Sequence, residues 1–146
     1  MAHILVVDDE EEVCAALKRR LEREGHQVTT AGSTEDAVRL LRSENAAFDV
    51  VVTDMSMEQP DSGLEVLTTA LGRDLFTEVI VLTAYGNVAN AVESMRRGAF
   101  DYLEKNVPGV DTYELLVMKV EQALERRRAA IQTVRRLEEQ AKKPTT

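Results

Sequence analysis

His3-Ile4-Leu5-Val6-Val7-Asp8-Asp9, residues 3–9, is an apolar run that stops on two carboxylates. Val50-Val51-Val52-Thr53-Asp54, residues 50–54, repeats the pattern with one. Short apolar runs bounded by polar residues read as buried strands. Strands buried on both faces belong to parallel sheets sandwiched between helices. In such open sheets ligands bind at the carboxyl ends of the strands, above all where the strand order reverses. If these two strands are neighbours, Asp8, Asp9 and Asp54 converge on one pocket. Three like charges so close repel unless a cation or a proton joins them. A hard divalent cation with oxygen ligands answers that need, Mg²⁺ first and Mn²⁺ as the alternative.

The rest of the chain keeps the same alternation. Strands are expected at about 3–7, 27–31, 49–53, 79–82 and 100–103. Helices are expected at about 11–24, from Ser33 onward, at 63–71, at 88–97, and from Asp111 to about Lys143. Val13, Leu17 and Leu21 share one helical face with Cys14 beside them, and Ala37, Leu40 and Leu41 form the stripe of the second helix. Ser33 with Asp36, and Asp111 with Glu114, have the spacing of N-terminal caps, and Asn87 is a third cap. Gly25 and Gly98 close their helices. Five strands alternating with five helices imply a doubly wound parallel α/β sheet. The commonest five-stranded order is 2-1-3-4-5, the flavodoxin-like (βα)5 arrangement, here with an extended C-terminal helix. That order makes the first and third strands neighbours.

Length and composition fit one domain. The 146 residues hold no Trp and few aromatics, so the core is aliphatic. No apolar stretch approaches the ~20 residues of a membrane helix. Met1-Ala2-His3 leads straight into the first strand without a signal-peptide pattern, and the lone Cys14 allows no intrachain disulfide. These features give the expectation of a cytoplasmic protein. Residues 1–125 carry 24 acidic and 11 basic side chains, a net −13, while residues 126–146 carry 7 basic and 2 acidic, a net +5. An acidic body argues against nucleic-acid binding by that body. The basic tail reads first as a solvated helix face.

Two more strand ends carry chemistry. Thr83 ends the fourth strand and Lys105 follows the fifth. The pocket would then hold three carboxylates, a hydroxyl and an ammonium. No phosphate loop or dinucleotide fingerprint is present. His3 and His26 lie far from these loops, so a serine hydrolase triad is unsupported. An aspartate can be a covalent nucleophile toward phosphorus, and phosphoryl transfer asks chiefly for positioning and charge neutralisation. Each residue alone has an ordinary reading: Asp8 and Asp9 as helix caps, Asp54 as a loop acid, Thr83 as a strand terminus, Lys105 as a surface cation. The joint pattern is what argues for a site.

Asp-Asp after strand one, Asp after strand three, Thr83-Ala84 after strand four and Lys105 after strand five resemble the receiver domain of bacterial two-component response regulators. The segment from Thr83-Ala84-Tyr85-Gly86-Asn87-Val88 through Arg97-Gly98-Ala99-Phe100-Asp101-Tyr102-Leu103 is most similar to the nitrogen-regulator (NtrC) type. The resemblance covers about residues 3–122. It implies that Asp54 accepts a phosphoryl group from a sensor histidine kinase or a phosphotransfer protein. It implies that Asp9 and Asp54 bind Mg²⁺ directly, Asp8 partly through water, and the Ser56 carbonyl as the third protein ligand. Thr83 and Lys105 would read the phosphoryl group. Tyr102 matches an aromatic switch position, through which the surface of helix four, strand five and helix five would change. Ser56 and Tyr85 match positions that tune autodephosphorylation, and the bulk of Tyr85 gives the expectation of slow hydrolysis.

Two departures stand out. The family usually has a proline after the lysine, joined by a cis bond, whereas Asn106 follows Lys105 here and Pro108 comes later. A cis bond before a non-proline residue costs about 2.5–4 kcal/mol, so a trans bond or a different loop path is expected. The loop 55–62 is also one residue longer than usual, with Glu58-Gln59-Pro60.

The chain divides into a receiver body at 1–122 and an extension of helix five at 123–146. Leu116, Val120, Ala123, Arg127, Ala130, Val134, Leu137 and Ala141 follow the alternating spacing of a heptad seam. That seam is either one face of a single helix or a homodimerising signalling helix that relays the switch, in a setting such as transcription regulation. Two other functions stay open: a receiver-like scaffold that works without phosphorylation, and an acid-nucleophile phosphatase using Asp8 or Asp9.

Overall fold

The computed structural model describes residues 2–44 and 47–142. Its strands are β1 (His3–Val7), β2 (Gln27–Ala31), β3 (Val50–Thr53), β4 (Glu78–Thr83) and β5 (Asp101–Glu104). Its helices are α1 (Glu11–Arg23), α2 (Thr34–Arg42), α3 (Ser62–Arg73), α4 (Val88–Arg96) and α5 (Thr112–Lys142). All strand pairs are parallel, in the order β2-β1-β3-β4-β5. This is the flavodoxin-like sheet expected from the alternation, with β1 and β3 adjacent.

Side chains of a strand point alternately to the two faces, and the core divides accordingly. Ile4, Val6, Val50, Val52, Ile80 and Leu82 meet Leu17 and Leu21 of α1 and Leu116 and Val120 of α5. On the other face, Leu5, Val7, Val51, Val79 and Val81 meet Ala37 and Leu41 of α2 and Val66, Leu67 and Ala70 of α3. Each fully buried aliphatic side chain contributes about 1.5–3 kcal/mol relative to exposure. α4 is seated differently. Ser94 is its one fully buried residue among those described, and Val88, Val92 and Met95 face outward.

The caps behave as spaced. Ser33 Oγ accepts from the Asp36 amide at 3.1 Å, Asn87 Oδ1 from Asn90 at 3.1 Å, and Asp111 Oδ1 from Glu114 at 3.2 Å. Gly25 and Gly98 follow α1 and α4 at φ +92° and +101°, left-handed values that favour glycine. Element edges move by a residue or two. β4 begins one residue earlier than expected, at Glu78, and β5 is displaced by one. Glu78 is a buried acid, and its partner, Arg126, lies 48 residues away, out of reach of any local pattern.

α5 is one helix of 31 residues. Its first half buries Leu116, Val120, Ala123 and Leu124. Arginines then tie it to the floor of the sheet. Arg126 holds both carboxylate oxygens of Glu78 and lies 4.8 Å from the Phe100 ring centroid. Arg127 pairs with Asp49 at 3.0 Å and Asp74 at 3.3 Å. Past this clamp, Val134 and Leu137 are exposed. The expected helix end at Lys143 lies outside the described residues. No helix among the described residues is long and apolar enough to cross a membrane.

Candidate functional site

Parallel pairing of β1 and β3 sets Val7 opposite Thr53. The next residues, Asp8 and Asp54, therefore emerge side by side. Their amides are fixed from below: Asp54 N–H donates to the Val7 carbonyl at 2.8 Å, and Asp8 N–H to the Ala31 carbonyl at 3.1 Å. One oxygen from each of Asp8, Asp9 and Asp54 lies within 4.8 Å of the others. Asp8 and Asp54 are buried and Asp9 is exposed, so the cluster opens on one side. Three hard carboxylate oxygens at this spacing fit a divalent cation of the Mg²⁺ kind. The helix-cap reading of Asp8 does not hold: the N-cap of α1 is Glu10, without a side-chain cap, and Asp8 Oδ1 accepts from the Glu10 amide at 2.9 Å, one residue before the helix begins.

Lys105 comes in from the far edge. Its amide donates to the Thr83 carbonyl at 2.7 Å, which extends the β4–β5 pairing past Glu104. Its Nζ then lies 2.6 Å from Asp8 Oδ2 and 3.7 Å from Asp54 Oδ2. Burial disfavours the ammonium, but the hydrogen bond to Asp8 and the fields of Asp8, Asp54 and Glu10 outweigh it and raise the Lys105 pKa. Asp54 goes the other way for a carboxylate: burial, reinforced by Asp8 and Asp9 and only partly offset by Lys105, pushes it up to about 6. Burial also pushes the Cys14 thiol up, with Asp8 adding to it, so a reactive thiolate is disfavoured there. No cis peptide bond occurs among the described residues, in line with the trans bond expected before Asn106.

Thr83 is buried, and its hydroxyl donates only a long bond, 3.5 Å, to the Tyr85 carbonyl. The Tyr85 side chain itself is 87% exposed. Tyr102 is half-buried against the α2–α3 side of the core, and its hydroxyl accepts from the Asn87 amide at 3.4 Å. Ser56 is exposed, with Oγ donating to the Pro60 carbonyl at 2.9 Å. Gly63 returns the chain to the site: its amide donates to the Met55 carbonyl at 2.8 Å, and a Cβ there would stand 2.6 Å from the Asp54 carbonyl oxygen.

One residue at the rim escaped the reading of the sequence. Glu58 reaches from the loop after β3 to Thr34 at the start of α2, and the Thr34 hydroxyl bond holds its carboxyl below the usual range. The loop residues Glu58-Gln59-Pro60 were singled out in the sequence, but nothing in the spacing pointed to Thr34.

The strand order, the switch-point carboxylates and the opposed lysine define an open α/β domain built around an acidic ligand site. Residues 4–117 match the family described as the response regulator receiver domain, and the chain belongs to that family. It is 34% identical over 136 residues to the transcriptional regulatory protein GlrR of Escherichia coli K12, a match that covers 90% of this chain and 30% of GlrR. The chain therefore spans less than a third of that relative's length. Alginate biosynthesis transcriptional regulatory protein AlgB of Pseudomonas aeruginosa is 37% identical over 102 residues, 70% of this chain and 22% of AlgB. Among solved structures, a receiver domain protein from Clostridium thermocellum superposes with a TM-score of 0.78 at 34% identity, covering 89% of this chain and 99% of that one. The beryllofluoride-activated NtrC4 receiver domain dimer gives 0.73 at 31% identity, covering 87% and 99%. The resemblance to the nitrogen-regulator type is thus matched by similarity to a named member of it.

Proposed function

We propose that this chain is the phosphoacceptor module of a two-component system, with Asp54 taking a phosphoryl group from the phosphohistidine of a sensor kinase or a phosphotransfer protein. The observation that carries the reading is the convergence of Asp8, Asp9 and Asp54 on the Lys105 ammonium at neighbouring strand ends. In the transfer an Asp54 oxygen attacks phosphorus, the P–O bond forms as the P–N bond breaks, and the departing imidazole keeps the electron pair and takes up a proton. The product is an acyl phosphate. Asp8, Asp9, Asp54 and the Ser56 carbonyl would hold Mg²⁺ or Mn²⁺, which when bound supplies charge neutralisation for the phosphoryl oxygens. Lys105 carries a second positive charge to the same oxygens. Thr83 turns its hydroxyl from the Tyr85 carbonyl to a phosphoryl oxygen.

Phosphorylation puts about −1.5 to −2 charge where a carboxylate stood. With Thr83 drawn in, Tyr102 and the start of α4 rearrange, and the α4–β5–α5 surface changes for a partner, an output domain or a second copy. Ser56 and Tyr85 set how fast water removes the phosphoryl group, and that hydrolysis is slow. Residues 1–122 act as the receiver body and residues 123–146 as the extension, which offers Ala130, Val134, Leu137 and Ala141 as a homodimer seam. The module works in the cytoplasm, without a nucleic-acid contact of its own.

The test is intact-protein mass after incubation with acetyl phosphate and Mg²⁺. One phosphoryl adduct on the wild type that needs the metal and disappears in Asp54→Asn supports the reading. No adduct on the wild type moves the function to a scaffold that works without phosphorylation.

A further inference from the structure

The loop between β3 and α3 leaves the site at Met55 and returns to it at Gly63, where the Gly63 amide closes on the Met55 carbonyl. Between these points it is tied mostly to itself. Met57 N–H donates to the Gln59 carbonyl at 3.1 Å, Ser56 Oγ to the Pro60 carbonyl at 2.9 Å, and Gln59 N–H to Ser62 Oγ at 2.9 Å. Such a closed loop has internal shape of its own, and a bond to a neighbouring element fixes how it sits against the rest of the domain. Glu58 provides one. Its Oε1 accepts from the Thr34 amide at 3.0 Å, and its Oε2 from the Thr34 hydroxyl at 2.7 Å and the Ser62 hydroxyl at 3.4 Å.

Thr34 is the first residue of α2, where backbone N–H groups lack partners within the helix and a negative charge is favoured by the helix dipole. Glu58 therefore satisfies one of those groups while holding the loop. Thr34 presents two donors, its amide and its hydroxyl, to the two oxygens of one carboxylate.

We propose that Glu58 is a positioning residue for the cation site: by latching the loop to the start of α2 it sets the path of the segment that carries Ser56, and with it the affinity of the site for a divalent cation. The inference rests on the reading of Asp8, Asp9 and Asp54 as the cation's carboxylate ligands. It adds a connection from α2 to the metal, so that whatever displaces the first turn of α2 alters metal binding.

The experiment compares the wild type, Glu58→Ala and Glu58→Gln by Mg²⁺ titration followed in amide NMR spectra, with melting in EDTA and hydrogen exchange of residues 56–61 alongside. Glutamine preserves the bridge, because its carbonyl accepts from the Thr34 amide and its NH₂ donates to the Thr34 hydroxyl. The expected result is a roughly fivefold or greater loss of Mg²⁺ affinity in Glu58→Ala, faster exchange across 56–61, a melting temperature in EDTA within a few degrees of wild type, and most of the affinity restored in Glu58→Gln. Wild-type affinity in Glu58→Ala overturns the inference. So does a Glu58→Gln chain as weak as Glu58→Ala, since a loss of charge alone then accounts for the effect. A wild-type chain that binds no Mg²⁺ at all overturns the metal reading itself, and this inference with it.

Discussion

Lys105 Nζ sits 2.6 Å from Asp8 Oδ2 and 3.7 Å from Asp54 Oδ2, so the lysine holds Asp8 and only leans on Asp54. The Asp54 carboxylate is left buried among like charges with partial compensation. That explains why its pKa stands at about 6 while Lys105 pulls it downward. A carboxylate so placed gains from any further positive charge that arrives, which is what the proposed uptake of a cation and then a phosphoryl group requires.

Replacing Lys105 tests this arrangement directly. In Lys105→Gln the ammonium beside the cluster is gone, and the Asp54 pKa rises above about 6. Carboxyl ¹³C NMR of the metal-free protein follows the titration. Phosphorylation by acetyl phosphate slows by at least about tenfold, because a preorganised charge aimed at the developing oxyanions has been lost. An Asp54 titration that stays in place or moves down contradicts the assigned role of Lys105.

The same pKa makes a statement about stability. Asp54 is raised from 3.8 to about 6 in the folded protein. The folded state therefore binds more protons than the unfolded state across that window, and its stability falls as pH rises through it. The penalty is absent below the unfolded value and complete above about pH 6. Metal-free wild type should lose about 1–3 kcal/mol from this group between pH 4 and pH 7. Subtracting the denaturation curves of Asp54→Asn isolates the contribution. At pH 7 the Asn variant is the more stable without metal. Mg²⁺ stabilises the wild type more strongly at pH 7.5 than at pH 5, since it needs the ionised carboxylate.

Much of this was legible in the chain. The apolar runs at 3–7 and 50–53 are buried on both faces, so their composition is dictated by the sheet and could be read back from it. Asp8, Asp54, Thr83 and Lys105 could be located because each stands at or just past the carboxyl end of a strand, and parallel register turns sequence position into spatial proximity. Side-chain geometry at the rim was not legible. Nothing in the spacing said that the Tyr85 side chain stands in solvent. Glu58 was one residue of an unusual loop until its bonds to Thr34 were seen. Glu78 and Arg126 lie 48 residues apart, and only the packed fold brings them together. Contacts of this kind depend on tertiary placement, and no local period encodes them.

The Glu78–Arg126 pair offers a stability test away from the acidic site. Glu78 has 7% side-chain exposure and Arg126 has 54%, so the acid carries the burial and the arginine supplies its neutralisation. Arg126→Ala strands a buried carboxylate and should destabilise by about 2–4 kcal/mol. Glu78→Gln leaves a neutral group facing a largely exposed arginine and should cost clearly less. Urea unfolding of the two single variants and the double variant gives the coupling directly. Equal losses in the two single variants contradict the asymmetry.

The last relation concerns α4. Ser94, fully buried on this helix, has a hydroxyl without a hydrogen-bond partner among the described residues. A buried unpaired hydroxyl costs about 1–3 kcal/mol, so the resting seat of α4 is held weakly. The helix is also joined to the proposed switch residue, because its N-cap residue Asn87 donates its amide to the Tyr102 hydroxyl at 3.4 Å. Two substitutions pull these features apart. Ser94→Ala removes the unpaired group, raises stability by about 1 kcal/mol and biases α4 toward its resting position. Tyr102→Ala leaves the carboxylates and Lys105 in place, so it takes up the phosphoryl group at a rate within a few fold of wild type. What it loses is the report of that event at α4. Amide NMR shifts across residues 88–96, recorded before and after phosphorylation, should be large in the wild type, reduced in Ser94→Ala and small in Tyr102→Ala. Wild-type shifts in Tyr102→Ala would remove that tyrosine from the path between Asp54 and the surface.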